Sequence, residues 1–408
     1  MVKSTHSFIF TLLSAFAASS ARAEDHVDID ATYFLEPAGQ QRLQVIHPQA
    51  TAAVDLGRPA AVRVGYDADI VTGATPRTYS RVDVMTAATS FSDVRHAFHG
   101  ALQYRTGAVT LDGGYTYAFE KDYRSHVVEV SARVDLLNHN TTFALSYSHN
   151  FDSVCDADNR GLSPLQRQSL SSSDKCFTET TGLTAEPLAI DSYQASWTQI
   201  LTPKLLFQVV GGLEALDGFQ SNPYRRVRLF DGAAEAQEAE PTLRQRMSVS
   251  GRLRWAIPIL RLAVGAGGRY YWDTWGIRSF TGELELDAHI TDRLLVRVRG
   301  RYYQQGRAVF YRDAGEALSY ESVGPVGQYF TGDRELSPFR DYLAGAKISY
   351  VRSADSESRL GKIFSDFDLH AKVDAIHYQP LTPLPPNLPR AQSLLGALIV
   401  QAGITARF

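Results

Sequence analysis

Residues 279–305 read SFTGELELDAHITDRLLVRVRGRYYQQ. In the first half, Phe280, Gly282, Leu284, Leu286, Ala288 and Ile290 are apolar, and the intervening Thr281, Glu283, Glu285, Asp287 and His289 are polar. Beyond Thr291-Asp292, the series Leu294, Val296, Val298, Gly300, Tyr302 interleaves with Leu295, Arg297, Arg299, Arg301, Tyr303. A period of two sends successive side chains to opposite faces of a β-strand. Two such runs around a turn-sized gap predict an antiparallel pair. Each has one greasy face and one charged face, the pattern of a strand that meets lipid on one side and a polar lumen on the other. A soluble sandwich would use shorter strands and turn the greasy face inward.

Working outward, about sixteen such segments are found, an even number as single-chain bacterial barrels require. They lie near 26–34, 44–56, 60–71, 92–105, 108–119, 124–136, 140–151, 188–201, 204–216, 242–256, 259–272, 278–291, 293–305, 339–351, 364–378 and 393–408. The expected fold is all-β: a single transmembrane antiparallel up-and-down β-barrel of outer-membrane type. The first two strands are the weakest, because Pro48 lies inside the second and cannot donate to a ladder. If the N-terminus is periplasmic, every second connection should be short. Residues 57–59, 106–107, 202–203, 257–258 and 291–292 meet this, whereas 72–91, 152–187, 217–241, 306–338 and 379–392 are long and fall in the other phase. The polar connection 352–363 is the exception on the short side. Tyr104, Tyr117, Phe119, Tyr147, Phe151, Trp255, Tyr270, Trp272, Tyr302 and Tyr350 stand toward strand ends, where interfacial aromatic girdles belong.

At the N-terminus, Lys3 and His6 precede the apolar run Phe8–Ala18 and the small-residue pattern Ala21-Arg22-Ala23. This predicts a cleaved signal peptide over 1–23, with the barrel occupying 24–408 and located in the outer membrane of a Gram-negative cell envelope. No other apolar stretch reaches helical spanning length, which excludes a helical membrane protein. At the other end, Leu398, Val400, Ala402, Ile404, Ala406 and Phe408 share one strand face. This resembles the C-terminal signal read by barrel-assembly machinery, with Ile404 and the terminal Phe408 as its elements.

Among 408 residues, 41 Lys+Arg face 44 Asp+Glu, a formal charge of -3. No basic excess argues for nucleic acid. The only two cysteines, Cys155 and Cys176, fall in the longest loop. In an oxidising compartment they are expected to form a disulfide, which in the chain-entropy model contributes about 3 kcal/mol. No P-loop, HExxH, GxSxG, CxxC or CxxCH motif occurs, and His96, His99, His126, His149 and His370 lack ligand spacing on one strand face. No enzyme, metal or cofactor signature is present.

By alternation, Arg244, Arg246, Arg252 and Arg254 face inward on one strand and Arg261 and Arg269 on the next. Glu283, Glu285 and Asp287 follow, and then Arg297, Arg299 and Arg301. Asp67, Asp69, Asp112, Glu129, Asp135, Asp366, Asp368 and Asp374 make the wall opposite acidic. Two readings stay open: a transverse field across a water-filled pore, or cross-strand ion pairing that satisfies a polar interior. In the long loops, Arg225, Arg226 and Arg228 beside Tyr224 could grip lipopolysaccharide phosphates, and Asp231, Glu235, Glu238 and Glu240 could hold bridging cations.

Several stretches carry a family resemblance: DIVTGATP at 69–76, FSDVR at 91–95, NPYRRV at 222–227, YYWDTWGI at 270–277, SFTGE at 279–283, TGDRE at 331–335 and SPF at 337–339. They are similar to the outer-membrane barrels catalogued as domain of unknown function 3570. The resemblance implies the fold and no mechanism. About sixteen strands enclose a lumen wide enough for water, so the leading expectation is a porin-like channel for small polar solutes. A barrel scaffold that docks a periplasmic or surface partner, which could be a redox protein, is the alternative, and a surface enzyme or adhesin the third. Membrane lipid, lipopolysaccharide and barrel-assembly machinery are the expected partners.

Overall fold

The computed structural model describes residues 25–38, 41–57, 59–72, 85–86, 92–163, 166–171, 174, 176–177, 182–229, 234–311, 329–353, 366–381 and 396–408. The expected signal peptide lies outside them. Sixteen strands close into one antiparallel barrel. In chain order they are β1 (His26–Ala38), β2 (Gln41–Asp55), β3 (Ala60–Thr72), β5 (Ser92–Thr106), β6 (Val109–Phe119), β7 (Tyr123–Leu136), β8 (Thr141–Ala157) and β9 (Leu183–Thr202). There follow β10 (Leu205–Gly218), β13 (Leu243–Ile257), β14 (Leu262–Asp273), β15 (Arg278–His289), β16 (Leu294–Gln305), β17 (Phe339–Ser353), β18 (Asp366–Pro380) and β19 (Gly396–Arg407). Three short strands, β4 (Met85–Thr86), β11 (Arg225–Leu229) and β12 (Ala234–Gln237), form a separate sheet in the order β12-β11-β4.

Every barrel strand pairs with its neighbours in sequence, and β19 closes on β1 from His26↔Arg407 to Leu35↔Leu398. At His47 and Pro48 the β2–β3 ladder skips two pairs and resumes in the same register, from Ile46↔Ile70 to Gln49↔Asp67. The pyrrolidine nitrogen has no hydrogen to donate there, and the barrel tolerates the gap because the surrounding pairs hold the register.

Burial is inverted relative to a water-soluble protein. Leu284 and Phe280 on the outer face of β15 are 65% and 51% exposed, while Glu285 and Asp287 on its inner face are 6% and 3% exposed. The outer wall continues with Val64, Leu102, Val130, Leu145, Val298 and Ile348. A contiguous apolar band of this size is stable only against lipid or another apolar phase. Tyr104, Phe151, Trp255 and Tyr270 lie among its exposed aromatics.

The strands are not of equal length. β8 has 17 residues and β9 has 20, whereas 9–11 residues cross a bilayer. Alternating burial along β8 stops at Asp152, beyond which Val154, Cys155 and Asp156 are all buried. There the strand leaves the apolar band and enters a cap built by the long connections. The sequence placed residues 152–157 and 183–187 in a loop, but they extend the β8–β9 hairpin, where the cap buries Val154, Cys155 and Asp156 of β8 while Ala185 and Pro187 of β9 stay exposed.

At the opposite rim the connections are short, apart from the one between Ser353 and Asp366. Pro258–Leu260 form a 3-10 turn closed by Arg261 at φ 53°, and the guanidinium of Arg261 pairs with Asp292 of the adjoining turn. The expectation that Arg261 faces the lumen is therefore corrected. The alternation was carried past the start of β14 at Leu262, and Arg261 belongs to the turn.

Candidate functional site

The inner wall from β13 to β18 is a lattice of ion pairs. Arg252 Nη2 lies 2.8 Å from Glu285, and Arg254 Nη2 lies 2.5 Å from Asp287. Arg297 Nε bridges Asp287 at 2.6 Å and Glu285 at 3.2 Å. Arg299 reaches Asp374 through Nε at 3.0 Å and Nη2 at 2.6 Å, and Arg301 reaches Asp341 at 3.0 Å. Nearer the long-loop rim, Arg246 pairs with Glu214 at 2.7 Å and Arg244 with Asp273 at 2.5 Å. Glu283 lies 3.8 Å from Arg299, and Arg269 lines the same interior. The arginines named in the sequence, Arg261 excepted, thus converge on one wall, where Arg244, Arg246, Arg252, Arg254, Arg297, Arg299 and Arg301 each stand within 4 Å of a carboxylate.

Several of these pairs skip a strand. Arg299 on β16 and Asp374 on β18 meet across Gly345 of β17, which is in register with both. A Cβ on Gly345 would lie 1.9 Å from Asp374 Oδ1. The same device recurs at the barrel seam, where His370 on β18 and Asp30 on β1, 2.8 Å apart, meet across Gly403 of β19. There a Cβ would fall 2.0 Å from Asp30 Oδ1. Gly265 and Gly267 open β14 similarly between Arg252 or Arg254 and the carboxylates of β15. Sequence reasoning missed these glycines. Their signal is an inward-facing glycine flanked two strands apart by opposite charges.

The wall expected to be acidic is not a bare one. Asp69 accepts from His47 at 2.8 Å and faces Arg95 at 3.5 Å, Asp67 pairs with His99, Asp112 accepts from Gln103 at 2.7 Å, and Asp135 lies 3.7 Å from Arg133. Asp374 belongs to the arginine wall itself. Local pairing therefore replaces the opposed acidic and basic walls, because each buried charge is costly unless a partner sits within hydrogen-bond reach.

Long connections roof the lumen. Val227, Ala236, Ala239, Trp275, Ile277, Ala308, Phe310, Tyr311, Phe330 and Leu336 form a buried apolar cluster contributed by three connections. Within the roof, Arg225 Nη1 stands 3.0 Å from Glu238 and 2.7 Å from Asp333, and Glu238 also accepts from Asn222 N at 2.7 Å and Thr331 Oγ1 at 2.8 Å. The two carboxylates hold the guanidinium charged, and its pKa is raised despite burial. Burial, reinforced by Glu238 and Asp333, holds the Glu240 carboxyl well above its ordinary range. Arg225 is thus committed inside the cap, which corrects the expectation that it grips lipid phosphates at the rim. Asp231 and the side chains of Arg228 and Glu235 lie outside the described residues.

Cys155 and Cys176 are joined by a disulfide. Leu170 and Tyr224 pack against it, and the Tyr224 hydroxyl donates to Asp122. Leu170 N donates to Pro223 O at 2.8 Å, and Gln237 donates to Asp156 at 2.7 Å. The disulfide loop thereby clips the 219–242 connection to the β8–β9 hairpin. Beneath the roof lies a cavity of about 830 Å³, lined by Arg246, Arg252, Arg269, Glu283 and Tyr303, with Trp275 above. Among the described residues, no group of three or more His, Cys, Asp or Glu side chains could hold a metal ion.

Solved structures share the barrel shape at low identity. A bacterial polysaccharide outer membrane secretin overlays with TM-score 0.48 and 10% identity, covering 95% of this chain and 100% of that one. The outer membrane protein OpdK of Pseudomonas aeruginosa gives TM-score 0.41 at 8% identity, covering 95% and 98%. OprD of the same organism gives 0.39 at 9%, covering 96% and 95%. These overlays carry no argument about function. No curated protein matches the sequence. Residues 10–358 do match one family model, and the chain therefore belongs to the family described as Protein of unknown function (DUF3570).

Proposed function

We propose that this protein is an outer-membrane channel for small polar solutes, with a folded roof over its external mouth. The observation that carries the proposal is a cavity of about 830 Å³ inside the barrel, whose lining includes Arg246, Arg252, Arg269, Glu283 and Tyr303, while the outer wall is apolar. An interior of paired charges and hydroxyls offers a polar solute hydrogen bonds in place of water, while the absence of a bare charged wall leaves only weak ion preference. The long-loop end faces the cell surface, as the short-turn rule for such barrels requires. Residues 398–408 are what the assembly machinery reads.

A second role, a barrel that docks a periplasmic or surface partner, draws on the roof. A cap with its own apolar cluster and disulfide is more structure than a plain pore needs. Planar-bilayer recording separates the two. The wild-type barrel should pass a small ionic current, and deletion of Arg225–Gln237, which removes β11 and β12, should raise it several-fold. Absence of current in both proteins would overturn the channel and leave the docking barrel.

A further inference from the structure

Ionisable side chains also occupy the outer wall, where lipid is the solvent. On β8, His149 shares its face with Phe143, Leu145 and Phe151, which are exposed, and on β9 Asp191 shares its face with the exposed Tyr193 and Trp197. His149 Nδ1 lies 2.8 Å from Asp191 Oδ1, which also accepts the Tyr147 hydroxyl at 2.7 Å. On the adjoining β7, His126 Nδ1 lies 2.6 Å from the Tyr115 hydroxyl, and Arg124, two residues further toward the loops, is exposed beside the Phe177 ring at 4.1 Å. Ionisable groups facing hydrocarbon are expensive and therefore point to a specific partner.

Their depths form a ladder. The stacked pair Phe143–Trp197 marks the short-turn side of the band. At about 3.3 Å per residue and a tilt of about 40°, His149 stands about 15 Å above it, His126 opposite Phe151 about 20 Å, and Arg124 opposite Ser153 about 25 Å. The top rung thus reaches the headgroup boundary on the cell-surface side. Asp191 neutralises part of this charge and has a second effect. By engaging Nδ1 it directs Nε2 of His149 away from the wall, toward whatever packs there.

We infer that Arg124, His126 and His149 form a binding site for a phosphorylated glycolipid of the outer leaflet. A phosphate at the rim is matched by the guanidinium and the upper imidazole, and a sugar or hydroxyacyl polar group lower down is matched by Nε2 of His149. This site rests on the membrane placement proposed above. It moves the lipid contact from the loop arginines of the cap to the wall of β7–β9.

The test is native mass spectrometry of the detergent-solubilised full-length barrel, titrated with diphosphoryl lipid A and with the same lipid stripped of phosphate. Wild type should retain one diphosphoryl molecule and bind the stripped lipid about tenfold more weakly, the effect of one charge-assisted hydrogen bond. Arg124→Gln with His126→Gln should lower diphosphoryl affinity about tenfold and leave the stripped lipid unchanged, whereas His149→Ala should weaken both. Arg278→Gln with Arg340→Gln, outward basic positions on β15 and β17, should change neither. His126→Phe, which preserves the ring packing against Tyr117, serves if the Gln variant fails to fold. Equal binding of both lipids, displacement by inorganic phosphate, or occupation of the face by a second copy of the chain would each overturn the site. A barrel that does not enter lipid vesicles would instead overturn the membrane placement.

Discussion

Gly345→Ala is the sharpest perturbation of the lumen lattice. The added methyl would stand 1.9 Å from Asp374 Oδ1, a distance no real contact tolerates, and a tight 3.3 Å from Arg299 Cγ. Asp374 has no exposed side-chain surface, so its carboxylate cannot swing into open water. Displacing it breaks both bonds to Arg299 and strains the bond from Lys372 at 3.0 Å. Breaking a buried pair in this way costs about 3–5 kcal/mol. Partial exposure of Arg299 places the expected loss at the lower end, about 3 kcal/mol, because water reaches that partner. Urea unfolding of the barrel in lipid vesicles, followed by tryptophan fluorescence, should register it. Gly300→Ala, on the outer face of β16 where the added methyl would stand 3.9 Å from Leu343 O, is the control and should be close to neutral. Asp374→Ala should also destabilise. Because the methyl then meets only the flexible Arg299 side chain at 3.3 Å, Gly345→Ala should cost little in that background. Additive costs, or a loss under about 1 kcal/mol for Gly345→Ala alone, would refute the strand-skipping pair as a source of stability.

Replacing Arg297, Arg299 and Arg301 together by Glu should destabilise the barrel as well as shift a salt-gradient reversal potential toward cations, since all three have carboxylate partners. The selectivity shift should shrink at 1 M salt, where the Debye length is about 3 Å. A free-thiol assay on non-reduced protein should find no titratable cysteine, and Cys155→Ser with Cys176→Ser should loosen the cap by about 3 kcal/mol, read as faster proteolysis of residues 158–182. Glu240 titrates above its ordinary range, so the folded cap binds that proton more tightly than the unfolded chain, and its stability falls as pH rises through the raised value. Cap proteolysis should therefore accelerate as pH rises from the ordinary carboxylate range through the raised value of Glu240, and Glu240→Gln should flatten the profile. Ile404→Asp on the lipid face of β19 should impair assembly at a cost of up to about 2–4 kcal/mol, measured as loss of heat-modifiable barrel.

The barrel was legible along the chain because its cause is local. An apolar face on one side and a polar face on the other impose a period of two on each strand by itself, so the alternation at 279–305, the phase of short turns and the even strand count needed no knowledge of distant contacts. Strand ends were legible only where a turn stops the pattern, which is why Arg261 was carried inward and residues 152–157 were assigned to a loop. Charge partners were not legible. The sequence shows that Arg299 and Asp374 both face the lumen, 75 residues apart, but their meeting depends on register across two ladders and on a glycine at the same level of the strand between. The cap was hidden for a related reason. Its apolar residues, such as Trp275, Phe310 and Phe330, lie in separate connections with no shared period, and only the closed barrel brings those connections over one mouth, where burial of their side chains and of the Arg225 ion pairs becomes mutually possible.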